Sequence, residues 1–253
     1  ARKALAGWRL TPAPKRAEYL LRLGRLLEER KNELSRIVTQ EMGKVLKEGA
    51  GDVQESIDIA YYMAGEGRRL FGHNVPSELA NKFAMAVREP VGVCGLITPW
   101  NFPTAIPCWK MMPALVLGNT IVLKPASDTS VSAAKIIQLM DEVGFPPGVV
   151  NLVMGPGGKV GNALIRDPDV DLISFTGSTD IGRKIATTAS ALGKRVSLEM
   201  GGKNAIIVMD DGDLDLAVDA ILWAAFGTTG QRCTACSRVL VHHRVKSKLV
   251  SRL

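Results

Sequence analysis

Several familiar signals are missing from this sequence. Four cysteines in 253 residues are too few for a disulfide scaffold. Cys233 and Cys236 form a CxxC pair, but no second pair follows and no histidine precedes it nearby, so a metal site is not expected. No apolar run is long enough to span a bilayer. The strongest, Leu115 to Leu123, is interrupted by Gly118, Asn119 and Thr120. There is no G-X-Y period and no heptad array, which excludes collagen and long coiled coils. The N-terminus has no signal-peptide core, because Arg2, Lys3, Trp8 and Arg9 break it. Neither G-x-G-x-x-G nor G-x-x-x-x-G-K-[ST] occurs.

What is present describes a globular protein. Hydrophobic residues make up 46% and charged residues 23%, close to ordinary domains, so disorder is not the main state. The formal charge of +7 is mild and its basic residues are dispersed. It reads as solubility rather than a nucleic-acid surface. The free-thiol composition points to a reducing cytoplasm, with neither membrane nor nucleic acid as partner.

Leu20, Leu23, Leu27, Leu34 and Ile37 recur near helical spacing, which predicts a helix over 14–49. Gly49 and Gly51 then read as punctuation before a second helix over 52–71. Residues 72–90 are polar and end in the alternating Phe83 to Val87, which fits a strand or hairpin. From Val91 the rhythm changes. Strands are predicted at 91–97, 120–124, 149–153, 171–175 and 195–198, with helices at 104–117, 130–143, 157–166 and 178–191 between them. Such alternation means a parallel, doubly wound α/β sheet with helices on both faces. A further strand at 204–208, a helix at 213–226 and a strand at 238–242 read as the start of a second domain.

Ligands of such sheets sit beyond the C-terminal strand ends. Several chemically capable residues fall there. Phe175-Thr-Gly-Ser178 opens a helix whose N-terminus would hold a phosphate, although Ser178 also serves as a plain N-cap. Lys124 ends a strand, where it either meets a ribose or phosphate or is simply solvated. The glycine-rich 155–161 stretch has the wrong spacing for a phosphate loop and reads as a strand-to-helix turn. Cys233 follows the hydroxyl-rich Phe226-Gly-Thr-Thr-Gly-Gln-Arg232. A thiol placed at a helix N-terminus, with Arg232 adding positive charge, would be nucleophilic; a buried inert cysteine is the bland alternative. Glu199 at a strand end is a general base or an ion-pair partner. Asn101, between Pro99 and Pro103, offers an amide to an oxyanion or caps a turn.

Taken in order, Thr98-Pro-Trp-Asn-Phe-Pro103, Gly118-Asn-Thr-Ile-Val-Leu-Lys124, Phe145-Pro-Pro-Gly-Val-Val-Asn151, Phe175-Thr-Gly-Ser178, Leu198-Glu-Met-Gly-Gly-Lys203 and Phe226 to Cys233 resemble the aldehyde dehydrogenase superfamily over the whole chain. The resemblance implies a variant Rossmann domain over 1–71 and 91–201. It implies a β-hairpin oligomerisation arm over 72–90, with a homodimer or homotetramer for the full-length protein. Residues 202–253 would begin the catalytic domain. Cys233 would be the nucleophile, Glu199 the base that activates water, and Asn101 with the Cys233 N–H the oxyanion hole. Lys124, Ser127, Trp100, Gly177, Ser178, Gly182, Thr98 and Met200 would hold the dinucleotide, Gly182 being the last glycine of the variant motif. Many NAD-preferring members carry Glu where this chain has Ser127, so loss of that carboxylate predicts that NADP is accepted. The substrate would be a small aldehyde.

Members of that family are about twice this length, so this sequence is expected to be roughly the first half. The Pro107–Met112 stretch carries no Arg, which disfavours a dedicated carboxylate clamp there. Cys236, one helical turn from Cys233, reads as a packing residue rather than a redox partner. A non-catalytic nucleotide-binding fragment is the alternative reading, and transfer of the acyl group to coenzyme A is disfavoured by the presence of Glu199.

Overall fold

The computed structural model describes residues 1–253. Helix α1 (Arg2–Leu10) is followed by α2 (Ala13–Glu29), with Pro12 and Pro14 at its start, where a missing N–H costs nothing. Leu20, Leu23 and Leu27 share one face of α2 and are fully buried. Each such leucine contributes roughly 1.5–3 kcal/mol of burial free energy. The helix predicted over 14–49 is in fact broken twice. Arg30 (φ −96°, ψ 8°) separates α2 from α3 (Lys31–Met42), and Gly43 at φ 88° ends α3 in a left-handed cap.

Gly49 and Gly51 do not punctuate. They lie inside α4 (Leu46–Glu66). A Cβ on Gly49 would stand 2.9 Å from both the Ser35 carbonyl oxygen and Thr39 Oγ1. The glycine therefore permits close approach of α3 and α4 rather than ending a helix. The sequence pattern cannot separate these two uses of glycine.

Strands β1 (His73–Val75) and β2 (Ala84–Ala86) pair antiparallel as a hairpin, with Asn74 opposite Met85. Phe83, Met85 and Val87 are exposed on it. Next come β3 (Val93–Ile97), α5 (Ala105–Val116), β4 (Thr120–Lys124), α6 (Ser130–Val143) and β5 (Val150–Leu152). The helix predicted from residue 157 begins instead as a π-turn over Gly157–Gly161 and becomes α7 only at Asn162–Arg166. Three glycines there favour the looser backbone. Then follow β6 (Leu172–Gly177), α8 (Thr179–Ala191) and β7 (Arg195–Met200).

These five strands form one parallel sheet in the order β5-β4-β3-β6-β7. Strand β3 shows why both faces are covered. Cys94 and Leu96 enter the core shared with α2, α4 and α5, whereas Val93 and Ile97 enter the one shared with α7 and α8. The pleat sends successive side chains to opposite faces. Finally β8 (Asn204–Val208), α9 (Leu214–Phe226), β9 (Cys236–Val241) and α10 (Lys246–Arg252) enclose a small core of Val208, Ile221 and Leu249. Asp213 caps α9 by accepting from the N–H groups of Asp215 and Leu216. Strands β8 and β9 are parallel. No helix is long and apolar enough to cross a membrane.

Candidate active site

The chain leaves β3 toward β4 on one side, and β6 lies on the other. The crevice at such a switch point is where doubly wound sheets take ligands. Here a cleft of about 590 Å³ opens beyond the strand ends. Its walls include Thr98, Trp100, Lys124, Gly177 and Ser178. Gly157 and Gly158 from the π-turn, Asn162 from the start of α7, and Lys184 and Thr188 from α8 also line it. No motif marks Asn162, Lys184 or Thr188, whereas the glycine-rich 155–161 stretch, read from sequence as a plain strand-to-helix turn, supplies Gly157 and Gly158 to the wall. Ser127, Gly182 and Met200 are not in the lining.

Observations within this cleft fit a dinucleotide. The Thr98 hydroxyl oxygen is buried without a hydrogen-bond partner. An orphaned polar atom in a cleft wall calls for a polar ligand. Ser178 caps α8 through the Ile181 N–H at 3.4 Å, so the positive end of that helix meets the cleft. A Cβ on Gly182 would lie 2.5 Å from Met200 Sδ, so glycine there lets α8 lie close to the end of β7. Gly182 and Met200 thus act as packing partners beneath the cleft.

Lys124 is nearly buried. Its Nζ donates to the Pro125 carbonyl at 2.7 Å, and burial lowers its pKa against the opposing pull of Asp128. Ser127 Oγ donates to the Gly155 carbonyl at 3.3 Å.

Cys233 is the only exposed cysteine; Cys94, Cys108 and Cys236 are buried. It does not sit at a helix N-terminus, which corrects the sequence expectation. The Ala235 N–H closes a turn on the Arg232 carbonyl, and β9 begins at Cys236. For the same reason Cys236 is not one helical turn away. Its thiol is committed to the Arg238 carbonyl at 3.1 Å.

The loop carrying Cys233 is strained and tied at several points. Thr228 and Thr229 adopt φ of 51° and 55°, and Gly230 follows at 71°. A left-handed non-glycine residue costs about 1–3 kcal/mol and persists only where its surroundings hold it. Asn101 Nδ2 donates to the Gln231 carbonyl at 2.8 Å. Asn204 Nδ2 donates to the Cys233 carbonyl at 2.6 Å and the Ala235 carbonyl at 3.3 Å. Glu48 Oε1 accepts from the Thr228 N–H at 2.7 Å and from Arg232 Nη2 at 3.1 Å. The Arg232 guanidinium also stacks on Trp223 at 4.5 Å. It is therefore a paired cation and does not lend the thiol the free positive charge expected from sequence.

A buried network holds the Asn101 turn from below. Lys44 Nζ and Asp52 Oδ2 pair at 3.1 Å with both side chains wholly buried. Asp52 Oδ1 accepts from Thr104 Oγ1 at 2.8 Å and from the Ala105 N–H at 2.7 Å, anchoring the start of α5. Lys44 also lies 4.0 Å from the centre of the Phe102 ring. Its charge has two partners, as a buried charge requires.

Glu199 stands opposite Thr176 in the β6–β7 register. Its Oε2 accepts from Thr176 Oγ1 at 2.9 Å and lies 3.9 Å from Lys110 Nζ. Lys110 is buried, donates to Ser174 Oγ at 2.9 Å, and has its pKa lowered by burial against the pull of Glu199. Neither Lys110 nor Thr176 was foreseen. Of Pro107 to Met112 only Trp109 is exposed, since the rest of that stretch packs inside α5.

The sequence model of the aldehyde dehydrogenase family matches residues 1–253. The α-ketoglutaric semialdehyde dehydrogenase of Bacillus subtilis is 46% identical over 256 residues, covering 100% of this chain and 52% of that protein. The NADP(+) succinate-semialdehyde dehydrogenase of Escherichia coli is 41% identical, covering 100% of this chain and 52% of that one. A crystal structure of an Escherichia coli NADP-dependent enzyme superposes with a TM-score of 0.98 at 41% identity, over 100% of this chain and 53% of that chain. A structure of PnpE in complex with nicotinamide adenine dinucleotide gives 0.96 at 39% identity, over 100% and 52%. The chain spans about half the length of the curated relatives it matches.

Proposed function

This chain belongs to the aldehyde dehydrogenase family, and on that premise we propose that the whole protein oxidises an aldehyde to a carboxylic acid with NADP or NAD. The observation that carries the reading is the loop of Cys233. The single exposed thiol stands on a loop that Asn101 clasps from the end of the β3 segment.

In this reading the Cys233 thiolate adds to the aldehyde carbon. An amide nitrogen carries two hydrogens. One of Asn101's is spent on Gln231, and the other, with the Cys233 N–H, meets the oxyanion. A nicotinamide held in the cleft would supply the acceptor for the hydride lost from the tetrahedral carbon. Cys233 is then acylated as a thioester. Glu199, steadied by Thr176 and Lys110, takes a proton from water as its oxygen attacks, and the Cys233 thiolate leaves. Thr98, Trp100, Gly177 and Ser178 would hold the diphosphate side of the dinucleotide, and Lys124 with Ser127 the adenosine ribose.

We assign residues 1–71 and 91–201 to the dinucleotide-binding domain and 202–253 to the beginning of the catalytic domain. The hairpin of 72–90, with Phe83, Met85 and Val87 exposed, would pair with a second copy in a homodimer or homotetramer. Four free thiols suit a reducing cytoplasm. The names of the relatives point to a semialdehyde of a dicarboxylic acid as substrate. The missing Arg in 107–112 no longer weighs against it, because Trp109 alone of that stretch is exposed.

The test is turnover by the full-length protein over a panel of plain aldehydes and semialdehydes, followed by absorbance of the reduced cofactor. Cofactor reduction that disappears in Cys233→Ala supports the reading. No reduction with any aldehyde, or reduction that survives the substitution, rejects it.

A further inference from the structure

Glu48 lies in the first turn of α4. A glutamate at that position ordinarily turns back to its own helix start, where it satisfies an orphan N–H and favours the dipole. Here it does something else. Its Oε1 accepts from the Thr228 N–H and from Arg232 Nη2, across sequence separations of 180 and 184 residues. Arg232 in turn donates from Nε to Thr228 Oγ1 at 3.0 Å. Both ionic side chains are mostly buried, at 16% exposure each.

We propose that Glu48 is a positioning residue for the nucleophile, holding the left-handed Thr228–Thr229 turn and Arg232 so that Cys233 is presented at one fixed place. The inference rests on reading Cys233 as the nucleophile. Three features support it beyond the contact itself. The turn it grips departs from the conformations threonine prefers, so something must hold it. The residue it grips next, Arg232, directly precedes Cys233. The helix it projects from is itself locked by the Lys44–Asp52 pair, which also anchors the Asn101 turn through Thr104 and Ala105. Helix α4 thereby holds both halves of the site, Asn101 through Asp52 and Cys233 through Glu48. The third tether, Asn204, comes from β8 and does not depend on α4.

The experiment compares Glu48→Ala, Glu48→Gln and wild-type full-length protein. Three quantities are read on each: the rate of Cys233 alkylation by iodoacetamide, kcat with KM for aldehyde and cofactor, and the thermal unfolding midpoint. Gln keeps an oxygen for the Thr228 N–H but loses the ionic pairing with Arg232. The expected order is therefore graded, with kcat lowered about tenfold in Gln and about a hundredfold or more in Ala, as for withdrawal of one or two charge-assisted hydrogen bonds. KM for the cofactor stays unchanged in both, since Glu48 does not line the cleft. Alkylation by a small reagent that needs no fixed geometry changes less than kcat. Unchanged kcat in Glu48→Ala overturns the proposal. So does a loss of kcat, alkylation and cofactor binding together in step with a lowered unfolding midpoint, which marks a structural role alone. If alkylation of the wild type at Cys233 leaves turnover intact, the nucleophile reading itself fails, and that outcome is distinct from both.

Discussion

Asn101 donates its side-chain amide to the carbonyl oxygen of Gln231, two residues ahead of Cys233 and 130 residues away in sequence. One side chain thus has two uses. It clasps the loop of Cys233, and in the proposed mechanism its remaining amide hydrogen meets the oxyanion. Removing it should harm catalysis through both.

Asn101→Ala is expected to lower kcat by about a hundredfold to a thousandfold, the range for loss of one oxyanion donor. KM for the cofactor should change little. Steady-state kinetics on the full-length protein check this, and a kcat within a few-fold of wild type would remove Asn101 from the mechanism.

Alkylation should be selective. Burial pushes the thiols of Cys94 and Cys108 up to about 12, and Cys236 is buried with its Sγ bonded to the Arg238 carbonyl. Iodoacetamide at neutral pH should therefore mark Cys233 alone, with turnover lost in proportion. Peptide mass mapping reads the site, and substantial early label on any other cysteine contradicts the exposure argument.

Ser127→Glu should shift preference from NADP toward NAD. A carboxylate placed near the 2′-phosphate repels it, and Lys124 can then pair with that carboxylate. The ratio of kcat/KM for NADP over NAD is expected to fall about tenfold or more, equivalent to roughly 1.4 kcal/mol. An unchanged ratio would show that the adenosine ribose is held elsewhere.

Asp52→Ala should destabilise the fold by about 3–5 kcal/mol, because it leaves the wholly buried Lys44 charge without its partner and the start of α5 without its acceptor. Urea unfolding of the full-length protein measures it. A loss below about 1 kcal/mol would mean that the Phe102 ring and local rearrangement satisfy Lys44 alone.

Lys110 makes a prediction in pH. Its folded pKa lies below the ordinary 10.5, chiefly through burial and against the pull of Glu199. Between the folded pKa and 10.5 the unfolded chain binds the extra proton, so this group makes stability rise with pH in that window. Below the window the lysine is charged in both states and its burial penalty is fully present. Lys110→Met should flatten the rise and relieve the penalty at neutral pH, while loosening Glu199 and slowing deacylation. Denaturant unfolding across mildly alkaline pH, with an identical slope in both proteins, would count against it.

The sequence by itself determined the class of the fold and singled out the groups to which the proposed chemistry is assigned. Alternating β-branched runs and amphipathic stretches depend on local periodicity, so β3, β4, β6 and β7 are recovered to within a few residues and the parallel sheet follows. Short stretches such as Leu198 to Lys203 and Phe226 to Cys233 carry Glu199 and Cys233 within a few residues of their own context. Tertiary structure decided what local context cannot encode. Gly43 ends a helix and Gly49 sits inside one, because only the second faces the Ser35 carbonyl of a neighbouring helix. The sequence places a strand at 238–242, but pairing with β8 starts β9 at Cys236, and this leaves Cys233 in a turn rather than at a helix N-terminus. Arg232, read as a free cation, is paired with Glu48, and Glu199 is held by Thr176 and Lys110. Glu48 with Arg232, and Lys110 with Glu199, lie far apart along the chain and meet only in the folded protein, while Thr176 reaches Glu199 through the β6–β7 pairing. Their interaction energies depend on distance and burial in the folded protein, and neither quantity is written in the spacing of residues along the chain.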